Sequence, residues 1–115
     1  MIHALGIGSS FTWDSLRDDS TWLAANAAAL NGGSGVGLLE ADGSHIISGK
    51  MSPRLIDGML QEVAMDPTIT TGTRKYLTEL DAAFLRDIGY APVPEPSAAL
   101  LLVTSLGLLA AKRRR

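Results

Sequence analysis

The chain has 115 residues, of which 46% are hydrophobic and 19% charged, with a formal net charge of −2 and no cysteine. This length suits one small domain, and the lack of cysteine excludes a disulfide framework and a thiolate metal site. Charge is distributed unevenly: residues 91–115 hold four basic groups and one acid, so residues 1–90 carry a net charge of −5. An acidic domain without a basic stripe argues against a nucleic-acid partner.

Residues 20–30 form the first predicted helix. Ser20 or Thr21 can act as its N-cap, the segment is rich in alanine, and Gly32 follows at its end. Its apolar residues give it one apolar side, so we assign this helix to packing and not to chemistry.

The middle of the chain gives weaker signals of secondary structure. Residues 35–40 are strand-like, and the Asp-Gly-Ser sequence that follows predicts a surface turn that carries His45. A further helix can start at Ser52-Pro53, because proline is favoured at the first helical position. Gly58 lies in the middle of that segment and disfavours a helix, so the sequence leaves open whether residues 53–64 are helical.

A second helix is predicted near residue 80 by signals at both ends. Thr78 can act as N-cap, with Asp81 three residues later as a short variant of the capping box. Gly89 fits the C′ position that ends such a helix. Apolar residues recur with helical spacing and predict one inward face, consisting of Leu80, Ala83, Phe84 and Ile88.

The C-terminal segment is apolar and ends in a basic cluster. Residues 97–111 are uncharged, and as a helix these 15 residues would rise about 22 Å, which is less than the roughly 30 Å of a hydrocarbon core. Such a segment suits a signal-type sequence or a short anchor, with the basic residues on the cytoplasmic side. The segment is preceded by Pro94, Glu95 and Pro96, where two prolines predict a stiff, accessible peptide.

The order Pro-Glu-Pro, apolar helix and basic end resembles the PEP-CTERM sorting signal of bacterial envelope and secreted proteins, over residues 92–115. The resemblance implies a linker at 91–96 and a transmembrane or sorting helix at 97–115. It further implies membrane association, recognition and cleavage near the motif by an exosortase, and residues 1–90 outside the cytoplasm. The cytoplasmic basic end would comprise Lys112, Arg113, Arg114 and Arg115.

Residues 1–90 resemble the C-terminal part of a metzincin or leishmanolysin-like zinc metallopeptidase. The resemblance rests on His3-Ala-Leu-Gly6, similar to the second half of H-E-x-x-H-x-x-G, and on the closing segment from Met65 to Tyr90. It implies a small, loop-rich α+β remnant of such a catalytic domain. It further implies zinc ligation by His3 and His45 above a methionine turn at Met65, and a protein substrate for the longer enzyme.

The pattern departs from the family in three respects. Ser9 occupies the metzincin position of a third histidine, Met51 is a rival for the methionine turn, and no His-Glu pair occurs in the chain. Neither does an export signal precede the sorting tail. We therefore expect the biological start upstream, with codons for His-Glu directly before Met1. Residues 1–115 alone are expected to be inactive, with no catalytic residue of their own, and to bind zinc poorly, since zinc is implied only for the full-length form.

Two other hypotheses stay open at this point. In the first, the chain is a non-catalytic envelope or extracellular-matrix protein that reuses a peptidase-like scaffold, and no His-Glu codons precede Met1. In the second, the chain is an untranslocated fragment without function, which would follow if transcription of the reading frame is undetectable.

Overall fold

A computed structural model describes residues 2–69, 71–91 and 96–114, apart from the side chains of residues 96–99. In this part of the chain it contains a 3₁₀ helix, four α-helices and two two-stranded antiparallel sheets, which confirms the predicted small α+β class. The 3₁₀ helix covers Ile2–Leu5, and the other elements in chain order are α1 (Phe11–Ser15), β1 (Arg17–Asp18), β2 (Thr21–Trp22), α2 (Ala25–Ala29), β3 (Met51–Pro53), β4 (Leu60–Glu62), α3 (Glu79–Asp87) and α4 (Pro96–Arg113).

Three aromatic side chains form the centre of the hydrophobic core. The ring centroids of Trp13 and Trp22 lie 4.4 Å apart, and Phe84 of α3 lies 5.2 Å and 4.9 Å from them. All three are almost completely buried. Tilted and edge-to-face pairs at these separations add to the stabilisation that burial itself provides. The core therefore joins the first quarter of the chain to α3, and short elements are held by packing instead of by extensive sheets.

The helix predicted near residue 80 is confirmed at its start. The Thr78 hydroxyl accepts a hydrogen bond from the Asp81 amide at 3.3 Å, and the Asp81 carboxylate accepts one from the Thr78 amide at 3.0 Å. The same carboxylate oxygen accepts the Ala64 amide at 2.9 Å, which ties the chain after β4 to α3. Because Thr78 and Asp81 are fully buried, this capping box also organises the interior.

The end and the inward face of α3 are confirmed as well. Gly89 has a φ of +112°, and its amide donates to the Arg86 carbonyl at 3.1 Å, while the Tyr90 amide donates to the Leu85 carbonyl at 3.0 Å. This pair of bonds is a Schellman motif with glycine at C′. The predicted inward residues are buried or packed against the core, namely Leu80, Ala83, Phe84 and Ile88.

The helix predicted over residues 20–30 is wrong in its first half. Thr21–Trp22 is β2, paired with β1, and the helix covers only Ala25–Ala29 before the turn that leads to Gly32. The Trp22 amide donates to the Gly35 carbonyl at 3.0 Å instead of a helical acceptor. Burial of the Trp22 ring in the core therefore outweighs the alanine-rich helix propensity.

The N-terminus of α2 is capped from α3. Ala24 occupies the N-cap and has no side-chain oxygen, but the Asp87 carboxylate accepts the amides of Asn26 and Ala27, both at 3.0 Å. Asp87 also accepts the Trp22 indole N–H at 2.8 Å. A five-residue helix is marginal by itself in water, so this contact across the domain is a main reason that α2 forms.

Residues 51–62 form a β-hairpin, which settles the open question of residues 53–64 against a helix. Ser52 pairs with Gln61 and Pro53 with Leu60, and the Ser52 hydroxyl accepts the Leu80 amide at 3.1 Å. Gly58 has a φ of +72°, which a helix does not allow but the tip of a hairpin requires. The Asp-Gly sequence at 57–58 is the relevant turn signal.

Helix α4 contains 18 residues, and its apolar side chains from Leu100 onward are exposed. The hydroxyls of Thr104 and Ser105 donate to the carbonyls four residues before them, at 2.6 Å and 2.7 Å, which keeps both groups satisfied within the helix. Among the residues that the structure describes, no helix has both the length and the apolar character needed to cross a membrane.

Two parts of the predicted sorting signal fall outside the described residues, namely Pro94-Glu95 and Arg115. Pro96 is the first residue of α4, so this helix begins one residue before the predicted 97–115 segment. The basic residues Lys112 and Arg113 form its last turn.

Candidate metal site

The first predicted ligand, His3, lies in the 3₁₀ helix at the start of the chain. This helix ends at Leu5, and Gly6 follows it with a φ of +99° and an amide that donates to the His3 carbonyl at 3.0 Å. The turn brings the Ile7 carbonyl back to the imidazole, 2.8 Å from His3 Nδ1. A carbonyl oxygen only accepts, so Nδ1 carries the proton and the lone pair of a neutral His3 is on Nε2.

The second predicted ligand, His45, lies at the end of a short loop. The strand-like segment 35–40 forms only an isolated bridge, Leu39 with Ile46, because the chain reverses within the six residues between them. Asp42 organises this loop: one carboxylate oxygen accepts the Ser44 amide at 2.8 Å, and the other lies 2.9 Å from His45 Nδ1. The hydrogen bond with His45, followed by that of Ser44, holds the pKa of Asp42 below its ordinary value of 3.8.

The two imidazole rings meet across 42 residues of sequence. Their Nε2 atoms are 3.4 Å apart, and the rings are nearly perpendicular, at 88°. Since Nδ1 of each ring faces an acceptor, each neutral ring has its proton on Nδ1, and the unprotonated Nε2 atoms of the two rings lie close together. Two lone pairs at this distance repel unless a proton or a cation lies between them.

The spacing fits a zinc ion. With Zn–N bonds of about 2.0–2.1 Å, nitrogens 3.4 Å apart subtend an angle of about 110° at the metal, which is the tetrahedral value. A zinc-bound histidine usually donates the N–H of its other ring nitrogen to a carbonyl or a carboxylate, as both rings do here. The two histidines would fill two of the four coordination positions of a zinc ion. Among residues 2–69, 71–91 and 96–114, no cluster of three or more His, Cys, Asp or Glu side chains is arranged to hold a metal.

Close approach of the two loops depends on Gly8. A Cβ atom at this position would lie 2.1 Å from the Ser44 carbonyl oxygen and 2.9 Å from Cε1 of His3. Only glycine fits such a contact, and the φ of +74° at Gly8 favours glycine as well. Sequence reasoning missed this residue, although the closely spaced glycines of Leu5-Gly6-Ile7-Gly8 are the signal that could have identified it.

Replacing Gly8 with alanine is expected to separate the two histidines and to destabilise the domain by at least about 2 kcal/mol, from backbone strain and the clash together. Thermal unfolding measures the stability, and cobalt absorption measures the metal site. Gly32 is the matched control, since its φ is also positive, at +71°, while nothing lies within 4 Å of an added Cβ. If alanine at Gly8 and at Gly32 had equal effects, the close contact with the His45 loop would be disproved.

Met65 belongs to the same cavity lining as the histidine pair. It is buried, its carbonyl accepts the Ile46 amide at 3.1 Å, and its side chain lines a cavity of about 430 Å³ together with His3 and His45. The rival methionine, Met51, is half exposed in β3 and is not part of that lining. The structure thus places His3, His45 and Met65 in the lining of one cavity.

Asp66, which the sequence reasoning did not single out, fixes the segment that follows Met65. Its carboxylate accepts the Gly49 amide at 2.7 Å and the Thr68 amide at 2.8 Å, and the Lys75 ammonium lies 3.8 Å away. Burial by itself would raise the pKa of Asp66. The hydrogen bonds from Thr68 and Gly49 and the charge of Lys75 outweigh that effect, so the pKa lies below its ordinary value of 3.8.

This lowered pKa predicts a loss of stability in acid that depends on Asp66. Because the folded-state pKa is below the unfolded value of 3.8, the stabilisation is fully present above that value. It is lost as the pH falls through the folded pKa. We expect Asp66→Asn to be less stable than the natural chain at pH 7, with the difference shrinking below about pH 4. Urea unfolding from pH 7 to pH 3 measures this; a constant difference would contradict it.

The chain matches no protein-family model, no curated protein and no solved structure. The geometry of the histidine pair is therefore the main basis for a functional assignment. The motifs of the sequence are the second basis, and they bear chiefly on the C-terminal segment.

Proposed function

We propose that the chain is an exported, envelope-sorted protein of PEP-CTERM type whose folded part binds zinc in a metallopeptidase-like site formed by His3 and His45. The observation that carries the zinc proposal is the 3.4 Å separation of the two Nε2 atoms, with each Nδ1 held by an acceptor. Ile7 and Asp42 fix the tautomers, so the two lone pairs are oriented before a metal arrives. Met65 lines the same cavity and is the residue that we propose as the hydrophobic base of the site.

The residues present support metal binding better than catalysis. Bound zinc supplies Lewis-acid chemistry that polarises a carbonyl or a water molecule. Peptide hydrolysis further requires a base to take the proton of that water. In the zinc peptidases this base is the glutamate of the His-Glu pair, and residues 1–115 contain no such pair. We therefore propose that this stretch of chain, made alone, hydrolyses no peptide.

The zinc proposal is tested by titrating the full chain with Co²⁺, which substitutes for zinc and absorbs visible light strongly when its coordination is tetrahedral. We expect a tetrahedral spectrum that zinc displaces and a chelator abolishes. A spectrum of hydrated, octahedral cobalt throughout the titration would overturn the proposal.

The proposal for the tail rests on α4. Its leucines are more than half exposed on every side, and an all-apolar helix surface is stable only when another apolar medium covers it. Lipid is a suitable medium, and Lys112 and Arg113 in the last turn would remain at the cytoplasmic headgroups. Because α4 as described is not long and apolar enough to cross a bilayer of ordinary thickness, the proposal requires local thinning of the bilayer.

A fusion of residues 91–115 to an exported reporter is expected to fractionate with membranes and to be shortened near Pro94-Glu95-Pro96 in cells with an exosortase. Changing Pro94, Glu95 and Pro96 together to alanine should keep the membrane fraction but prevent cleavage, because the apolar helix is unchanged. Immunoblots of membrane and soluble fractions measure both effects. A fully soluble, uncleaved reporter would count against the tail proposal.

The alternative is a non-catalytic envelope or extracellular-matrix protein that uses the same scaffold. It is favoured by the donor count, since the described residues supply two imidazoles and no further ligand cluster. Codons for His-Glu immediately upstream of Met1 would support the peptidase-like assignment, and any other codons would favour the alternative.

A further inference from the structure

Two histidines leave half of a tetrahedral zinc shell open. We propose that a second copy of this chain completes the shell, so that His3 and His45 of two copies bind one zinc ion between them. This inference rests on the proposed zinc site and adds to it the partner and the stoichiometry. A structural zinc site takes four protein ligands, which two identical pairs provide.

The geometry of the pair suits a twofold arrangement. The angle of about 110° that the two nitrogens subtend at a metal leaves the other two tetrahedral positions on the opposite side, related by a twofold axis through the ion. The pair is also accessible. His3 is exposed, and the His45 side chain is 31% exposed. Both side chains are therefore in contact with solvent, from which a second pair would approach.

The surface around the pair is apolar where a second copy would lie. Three side chains that line the same cavity are exposed, namely Leu5 at 40%, Ile69 at 71% and Leu77 at 40%. In an isologous contact these side chains would cover their own counterparts. Exposed apolar side chains grouped around a polar centre are typical of interaction surfaces.

The charged groups Lys75 and Asp66, which line the cavity, are bound within their own chain. The ammonium of Lys75 is bound within its own chain, 2.8 Å from the Thr68 carbonyl and 3.3 Å from the Glu62 carboxylate. Asp66 is likewise satisfied by its own amide donors. Lys75 therefore offsets the charge of one of these two carboxylates, and amide donors stabilise the other.

The test is sedimentation of the full chain in detergent micelles, with and without Zn²⁺, combined with measurement of bound zinc. We expect zinc to double the protein mass, with one zinc per two chains, and a chelator to reverse the change. His3→Ala and His45→Ala should each abolish the zinc-dependent mass. Since α4 can associate in micelles by itself, only the mass difference that zinc causes is considered.

Two outcomes separate the inference from the proposed function, and a third tests the apolar surface. One zinc per chain with no change in mass would overturn the inference and leave the zinc site standing. No zinc binding at all would overturn both. Ile69→Asp keeps both imidazoles and is expected to weaken the zinc-dependent dimer about tenfold, since it places a charge in the contact; an unchanged dimer would overturn the role of the apolar surface.

Discussion

Phe84→Ala is expected to remove about 3–5 kcal/mol of stability, because it deletes a fully buried ring that contacts both core tryptophans. Small domains have total stabilities of about 5–15 kcal/mol, so this variant should be largely unfolded or very easily denatured. Tryptophan fluorescence in a urea titration reports the change directly, since Trp13 and Trp22 lie against the deleted ring.

The chain provides a control of the same chemical type. Phe11 begins α1 and is 90% exposed, so Phe11→Ala should shift the urea midpoint little. Equal destabilisation by the two changes would mean that Phe84 is not the centre of the core. A stable Phe84→Ala protein with native fluorescence would lead to the same conclusion.

Removal of either imidazole is expected to have the largest effect on metal binding. His3→Ala or His45→Ala takes away one of two nitrogen donors, and we expect zinc affinity to fall at least 100-fold, measured by competition with a chelating dye. Both side chains lie at the surface of the domain, so folding should be retained. Circular dichroism of the two variants checks this.

The variant Asp42→Asn tests whether Asp42 orients the His45 ring or binds the metal itself. The amide keeps an oxygen that can accept from His45 Nδ1 but lacks the negative charge. We therefore expect zinc affinity to fall about 10-fold to 100-fold, the range typical when a residue that hydrogen-bonds a metal ligand is changed. If Asp42→Asn reduced affinity as much as His45→Ala, the carboxylate itself would be a ligand. If all three variants bound zinc as the natural chain does, the histidine pair would not be the site.

Helix α3 was predictable because its determinants are local. Thr78 and Asp81 are three residues apart, and Gly89 follows the last turn, so both ends are specified by neighbours in the sequence. The spacing of Leu80, Ala83 and Phe84 likewise specifies the buried face. In segments of this kind the sequence determines the element before any distant contact is considered.

The segments that were predicted wrongly depend on distant contacts. The first half of the predicted helix at 20–30 became β2, because Trp22 bonds to Gly35 and packs on Phe84. Helix propensity contains no information about either partner. The hairpin at 51–62 was ambiguous for a related reason: its apolar residues suit either element, and the signal that decided the fold was the glycine at 58.

For the candidate site, resemblance to zinc peptidases supplied His3, His45 and Met65, and the structure places them at one cavity. The sequence did not reveal how they are held. Ile7 holds the His3 ring through its backbone carbonyl, which every residue type has. Gly8 allows the two loops to approach closely because it has no Cβ atom. The role of Asp42 could have been anticipated from its position three residues before His45.

The cap that Asp87 gives to α2 has a consequence for the order of folding. Residues 25–29 are synthesised some sixty residues before the carboxylate that satisfies their amides, so α2 remains without its N-terminal partner until α3 exists. The Trp22 indole N–H donates to the same carboxylate, so this hydrogen bond also forms only after α3 has been synthesised. The N-terminal half is therefore not expected to form a stable folding intermediate before α3 has been synthesised. Closure of the long loop between α2 and α3 is expected to limit the folding rate.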